Sequence, residues 1–288
     1  VEENPSGGRW VMAAEAERAI LAPRRLRITL EVGWFLVVFS FFTVLALAQL
    51  KPQPFGRIFR FLLDGVAVTL GLTVVSFCFI LLIGLIGGLG RLSKNPILNG
   101  IATLYVEIIR GIPLMVQLLY IWFALPQLLD IIGYKLKGIS ALAGVGQWFI
   151  DLKLSPFVAA VTGLSICYGA YMSEIFRAGI ESIPKGQMEA ARSLGMSYFQ
   201  AMRYVILPQA FRVILPPVGN EFVALLKDSS LVSVLAVSDL TRRGREYMAR
   251  TFESLETWTM VALIYLFLTL FFSRLVRIME KRVEFEVK

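Results

Sequence analysis

Residues 62–89 read LLDGVAVTLGLTVVSFCFILLIGLIGGL, with one charged side chain, Asp64, near the start. A helix rises about 1.5 Å per residue and a bilayer core is about 30 Å thick, so about twenty apolar residues cross it. This stretch is therefore expected to span a membrane. Gly84 and Gly88 are four apart, a spacing that lets two helix backbones approach closely.

Outward from it, five further stretches have comparable character: 32–50, 101–129 with a charged start, 156–176, 211–226 and 258–276. The stretch 211–226 is shorter and holds Pro216 and Pro217. The expected fold is all-α, a polytopic transmembrane helix bundle of about six spans.

Composition agrees. The 288 residues are 57% hydrophobic and 17% charged, with a mean hydropathy of +0.69. A soluble domain is about 45–50% apolar and about 25% charged. That excludes a soluble single-domain enzyme and a disordered chain. There is no histidine, so the commonest general base and metal ligand are missing. Cys78 and Cys167 lie far apart in apolar runs, so no disulfide framework and no metal site is expected. The net charge of +8 does not point to nucleic acid, because Lys and Arg gather at the ends of apolar runs. Residues 1–31 show no short apolar stretch ahead of a cleavage site, so no signal peptide is expected there.

With six spans, the side holding the N-terminus carries seventeen Lys and Arg against eleven on the other. Both termini are then cytoplasmic. Glu107 and Arg110 are three residues apart, as are Glu174 and Arg177. Each couple shares a helix face and reads as a structural ion pair, or as part of a gate or partner contact.

Residues 178–208 are too polar to span. Ser182 and Pro184 suit a helix start, Lys185–Leu194 a short helix, Gly195 a left-handed cap, and Ser197 with Gln200 a capping box. Pro208 closes or kinks the second helix. The product is a helical hairpin. Met188, Ala191 and Leu194 make one apolar stripe, and Phe199, Met202 and Val205 another. It suits either a bed of lipid headgroups or a groove in a cytoplasmic partner.

Glu189-Ala190-Ala191, then Gly195, then Val205-Ile206-Leu207-Pro208 resembles the EAA loop of ABC-importer permeases, EAA-x3-G-x9-I-x-LP, with Val205 where isoleucine is usual. Residues 106–114 (VEIIRGIPL), 174–187 and 225–231 (LLKDSSL) resemble the polar amino acid permeases, the histidine/glutamine/arginine type. The resemblance covers about residues 62–280. It implies a five-span type I importer core with an extra N-terminal span at 32–50, a cytoplasmic segment 1–31 and a cytoplasmic tail 281–288.

The resemblance also implies partners. The chain has no G-x-x-x-x-G-K-[ST] phosphate cradle. ATP and magnesium would be bound by a separate ABC ATPase dimer, so the chain itself is expected to be non-catalytic and to hold no cofactor. The hairpin residues Glu189, Ala190, Ala191, Leu194, Gly195, Leu207 and Pro208 would couple to that ATPase. A second permease subunit, itself or a homologue, would complete the path in a bacterial inner membrane, and an extracytoplasmic solute-binding protein would deliver a polar amino acid.

An amino acid zwitterion needs acceptors for its ammonium and donors for its carboxylate. The candidates are Gln117, Tyr168, Tyr171, Asn220, Glu221, Lys227, Asp228 and Ser229. The tyrosines also suit interfacial anchoring, and Asn220 with Glu221 an intersubunit network. Glu221 favours a cationic solute and Lys227 an anionic one, so solute charge stays open. The alternative is an ion-coupled secondary amino acid carrier built on Glu221. An intramembrane enzyme is disfavoured, because without histidine there is no Ser-His or HExxH chemistry.

Overall fold

Asn95, Ser155 and Asp239 set the starts of three helices. Asn95 Oδ1 accepts the N–H groups of Ile97 (2.9 Å) and Leu98 (3.4 Å). Ser155 Oγ accepts from Val158 at 3.3 Å, and the Asp239 carboxylate from Thr241 and Arg242 at 3.1 and 3.0 Å. Each cap satisfies donors that a helix leaves open in its first turn. Pro96 and Pro156 follow their caps, where a missing N–H breaks no helical bond.

The computed structural model describes residues 33–285, with side chains to Lys281. The N-terminal segment 1–31, Val32 and the last three residues of the tail lie outside the described residues. Among those described there is helix and turn but no strand.

In chain order the helices are α1 (Gly33–Leu50), α2 (Arg57–Arg91), α3 (Pro96–Gly111), α4 (Leu114–Lys137) and α5 (Ala143–Asp151). There follow α6 (Pro156–Glu181), α7 (Lys185–Ser193) and α8 (Tyr198–Ala201). The last are α9 (Leu207–Asp228), α10 (Leu240–Thr251) and α11 (Ser254–Phe285). Five helical stretches are long and apolar enough to cross a membrane: α1, α2 with the turn before it, α4, α6 and the first 28 residues of α11. The polar and proline-bearing α9 falls short of that hydropathy, but packs between α6 and α11 as a sixth long helix.

The centre is the pairing of α2 with α6. A Cβ at Gly88 would lie 2.9 Å from both Phe176 Cβ and Ser173 O. The stripe of small residues on α2 thus brings the two backbones together, and Leu72, Ile80, Leu164 and Met172 fill the seam around it. A second apolar cluster joins α1, the start of α2, α10 and α11 through Val44, Ile58, Leu240 and Met260. Large apolar side chains on the outer faces of α1 and α2, Phe35, Phe39, Val74 and Ile86 among them, are exposed. In a bilayer these faces meet acyl chains.

Three expectations are corrected. The stretch 101–129 is not one helix: it breaks at Ile112–Pro113, where Ile112 is extended (φ −111°, ψ 131°). Proline disfavours helical geometry in the residue before it and brings no N–H of its own. Ser182 does not start the hairpin helix. It ends α6, and its Oγ donates to Gly179 O at 2.8 Å. Pro208 does not close the second arm, because α8 runs through a π-helical turn, Met202–Ile206, directly into α9. Pro208 sits in the first turn of α9, where a missing N–H is tolerated.

Candidate functional site

The hairpin turns at Gly195, whose φ of +86° lies in the left-handed region. Nothing lies within 4 Å of a Cβ built there, so the position demands a conformation rather than space. The Gly195 N–H donates to Arg192 O (3.0 Å) and the Met196 N–H to Ala191 O (3.2 Å), closing the end of α7. The second arm opens with a reciprocal capping box. Ser197 N donates to Gln200 Oε1 at 2.8 Å, and Gln200 N to Ser197 Oγ at 3.2 Å.

The apolar stripes do not stay together. Ala191 is buried against the second arm, whereas Leu194 is 81% exposed at the tip. Glu189 and Ala190 face outward, Leu207 and Pro208 are exposed, and so are Tyr198, Phe199 and Tyr204, the last with the Arg203 guanidinium 5.7 Å from its ring centroid. Ala191 is therefore small to let the two arms meet. The surface left for a partner is Leu194 with the aromatics.

Above the hairpin, Glu174 takes both Arg91 and Arg177, and Arg177 also takes Glu181. This cluster fastens the end of α2 to the end of α6. The expected pair of Glu107 with Arg110 is absent among the ion pairs of the described residues, and both side chains are exposed on α3. The Arg110 guanidinium lies instead over the Tyr171 ring, 5.2 Å from its centroid, an attraction between a cation and the ring face. The geometry of a neighbouring helix decided this choice, which i,i+3 spacing does not reveal.

Tyr171 and Tyr168 are neighbours on α6, with ring centroids 6.2 Å apart. Tyr168 is 7% exposed and so is not an interfacial anchor. Its hydroxyl donates to Asp228 Oδ2 at 2.7 Å. Glu221 lies seven residues before Asp228, on the same face of α9, within electrostatic reach of Asp228 and Arg110. One cation, two carboxylates and two phenols thus converge from α3, α6 and α9. Arg110 is the member that reading the sequence assigned elsewhere.

The other candidates separate from this cluster. Gln117 Nε2 donates to Ile109 O and Ile112 O, both at 2.8 Å, replacing bonds lost where α3 stops. Ser229 is fully buried and its Oγ donates to Leu226 O at 2.8 Å. Asn220 is exposed. Lys227 lines a different cavity of about 410 Å³ between α9 and α11, with Ser230, Tyr265 and Thr269. Among the described residues no cluster of His, Cys, Asp or Glu is arranged to hold a metal ion.

The profile of binding-protein-dependent transport system inner membrane components matches residues 80–285, and the chain belongs to that family. It is a permease subunit of an ABC importer. Among curated relatives, it is 40% identical over 223 residues to the glutamine transport system permease protein GlnP of Escherichia coli (strain K12), covering 77% of this chain and 93% of that one. It is 37% identical to the L-cystine transport system permease protein TcyB of Bacillus subtilis (strain 168), over 82% of this chain and 91% of that one. Its fold matches a solved chain described as an amino acid ABC transporter with histidines, with a TM-score of 0.66 and 38% identity, over 78% of this chain and 95% of that one. A subunit of the MetNI methionine ABC transporter shares the fold with a TM-score of 0.55 at 22% identity, over 77% of this chain and 97% of that one.

Proposed function

We propose that this chain forms half of a translocation path for polar amino acids in a bacterial cell membrane. Family membership favours an ATP-driven importer over the ion-coupled carrier. The observation that carries the substrate class is the convergence of Arg110, Tyr168, Tyr171, Glu221 and Asp228 where α3, α6 and α9 meet, among otherwise apolar neighbours. Glu221 and Asp228 offer acceptors to an α-ammonium, and Arg110 offers donors to an α-carboxylate. Relatives that carry glutamine and cystine support the same class.

The chain is non-catalytic in this reading. A partner ATPase dimer binds ATP and magnesium and grips the hairpin at Leu194, Tyr198 and Phe199, while Glu189 bonds within the loop or to that partner. Closure of the dimer tilts α8 and α9 and exchanges inward-open for outward-open states. A second permease, the same chain or a homologue, completes the path. A solute-binding protein delivers substrate to the face opposite the hairpin, and both termini lie on the hairpin side.

Reconstitution of the purified transporter with its ATPase and receptor tests this. Uptake of a labelled polar amino acid that needs both ATP and receptor is the expected result. Uptake by this chain alone under an ion gradient would overturn it.

A further inference from the structure

Arg274 occupies an unusual place. It lies on α11, is only 8% exposed, and its Nε and Nη1 are buried without a hydrogen-bond partner. Among the described residues no carboxylate lies within ion-pair distance of it. The guanidinium is pressed against Gly33 of α1: a Cβ there would fall 1.7 Å from Arg274 Cζ. A buried charge is costly unless something pairs with it. An anion would satisfy both the charge and the open donors.

Three features say which. Arg274 lies twenty residues after Ser254, about 30 Å along the axis of α11, which is the depth of the far headgroup layer. Arg277 and Lys281 continue the same face of α11 by one and two turns, forming a basic stripe at and beyond that layer. On α1, Phe35, Phe39 and Phe42 are exposed beside the seam, where acyl chains would lie. A guanidinium forks a phosphate with two parallel N–H bonds. A phosphate that arrives with acyl chains attached satisfies both the charge and the apolar flank.

We propose that the seam between α1 and α11 holds an anionic phospholipid, its phosphodiester on Arg274 with support from Arg277. The extra N-terminal helix then has a use. It encloses one lipid, and Gly33 leaves the room for the guanidinium that holds it. This inference does not depend on which solute the chain carries.

The test is native mass spectrometry of the assembled transporter in detergent, titrated with phosphatidylglycerol or phosphatidylcholine. Phosphatidylglycerol should be retained in preference, and excess inorganic phosphate should not displace it. Arg274→Gln should weaken its retention by about ten-fold and leave phosphatidylcholine unchanged. Gly33→Val keeps the charge but blocks its seat, and should reproduce the loss. Equal retention by wild type and Arg274→Gln would overturn the proposal. Displacement by inorganic phosphate would do the same, by revealing a free-anion site. If Arg274→Gln does not assemble, the wild-type titration decides: no preference for phosphatidylglycerol sinks the idea.

Discussion

The Tyr168 hydroxyl donates to Asp228 Oδ2 across 2.7 Å, tying the middle of α6 to the last turn of α9. A hydrogen bond to a charged group is worth about 1.5–3 kcal/mol, and more is at stake where water is scarce. Tyr168→Phe removes only the donor. It should lower receptor-dependent uptake by about ten-fold, corresponding to about 1.4 kcal/mol, with the protein still assembled. Uptake kinetics in proteoliposomes read this directly.

Gly195 separates conformation from space. Asparagine tolerates the left-handed region, whereas a β-branched residue pays about 1–2 kcal/mol or more there. Gly195→Asn should therefore keep near-normal receptor-stimulated ATPase activity, and Gly195→Val should lose most of it. Membrane insertion should be the same for both. Equal activity in the two variants would contradict a conformational role.

Gln117 offers a sharper chemical test. Its Nε2 donates to two carbonyls freed by the break at Ile112–Pro113. Gln117→Glu keeps the shape and loses the donors. Thermal unfolding in detergent should show a loss of about 2–3 kcal/mol for either Gln117→Glu or Gln117→Leu.

Gly88→Leu should separate α2 from α6. The first added carbon would already lie 2.9 Å from the Phe176 Cβ and Ser173 O. Overpacking of this kind costs about 1–3 kcal/mol or more. The yield of assembled transporter should fall, as measured by size-exclusion chromatography.

Asp239 carries a pH dependence. It lies outside the spans and is fully buried, and burial pushes its carboxyl from 3.8 up to about 6, against the pull of the N–H groups it caps. A raised pKa in the folded state means that the folded chain holds the proton more tightly. The stabilisation is complete below about pH 4 and is lost as pH rises through about 6, by roughly 2–3 kcal/mol in all. Asp239→Asn should remove that slope. Detergent melting curves between pH 4 and 7, wild type against variant, check it.

The spans and the hairpin were legible because each is a local signal. A run of apolar residues, Gly195 and the Ser197–Gln200 box say what they need without knowing their neighbours. The break at Ile112 was signalled by Pro113, but the apolar run continues through it and hides the stop. Arg110 could not be read at all: i,i+3 spacing offers Glu107, and only the approach of α6 offers Tyr171. Gln117, Ser229 and Lys227 shared one list of polar residues in apolar runs. Tertiary geometry sends two of them to backbone carbonyls and the third to another cavity.

No loop separates the second arm of the hairpin from α9, so from Tyr198 to Asp228 the chain is one strut. A shove at its outer end has no slack in which to dissipate before it arrives at Glu221 and Asp228. The compliant joint nearest Glu221 is the Pro216–Pro217 couple, which forfeits helical bonds just ahead of it. Stiffening that joint would therefore change how faithfully force becomes motion, while leaving every contact at either end untouched.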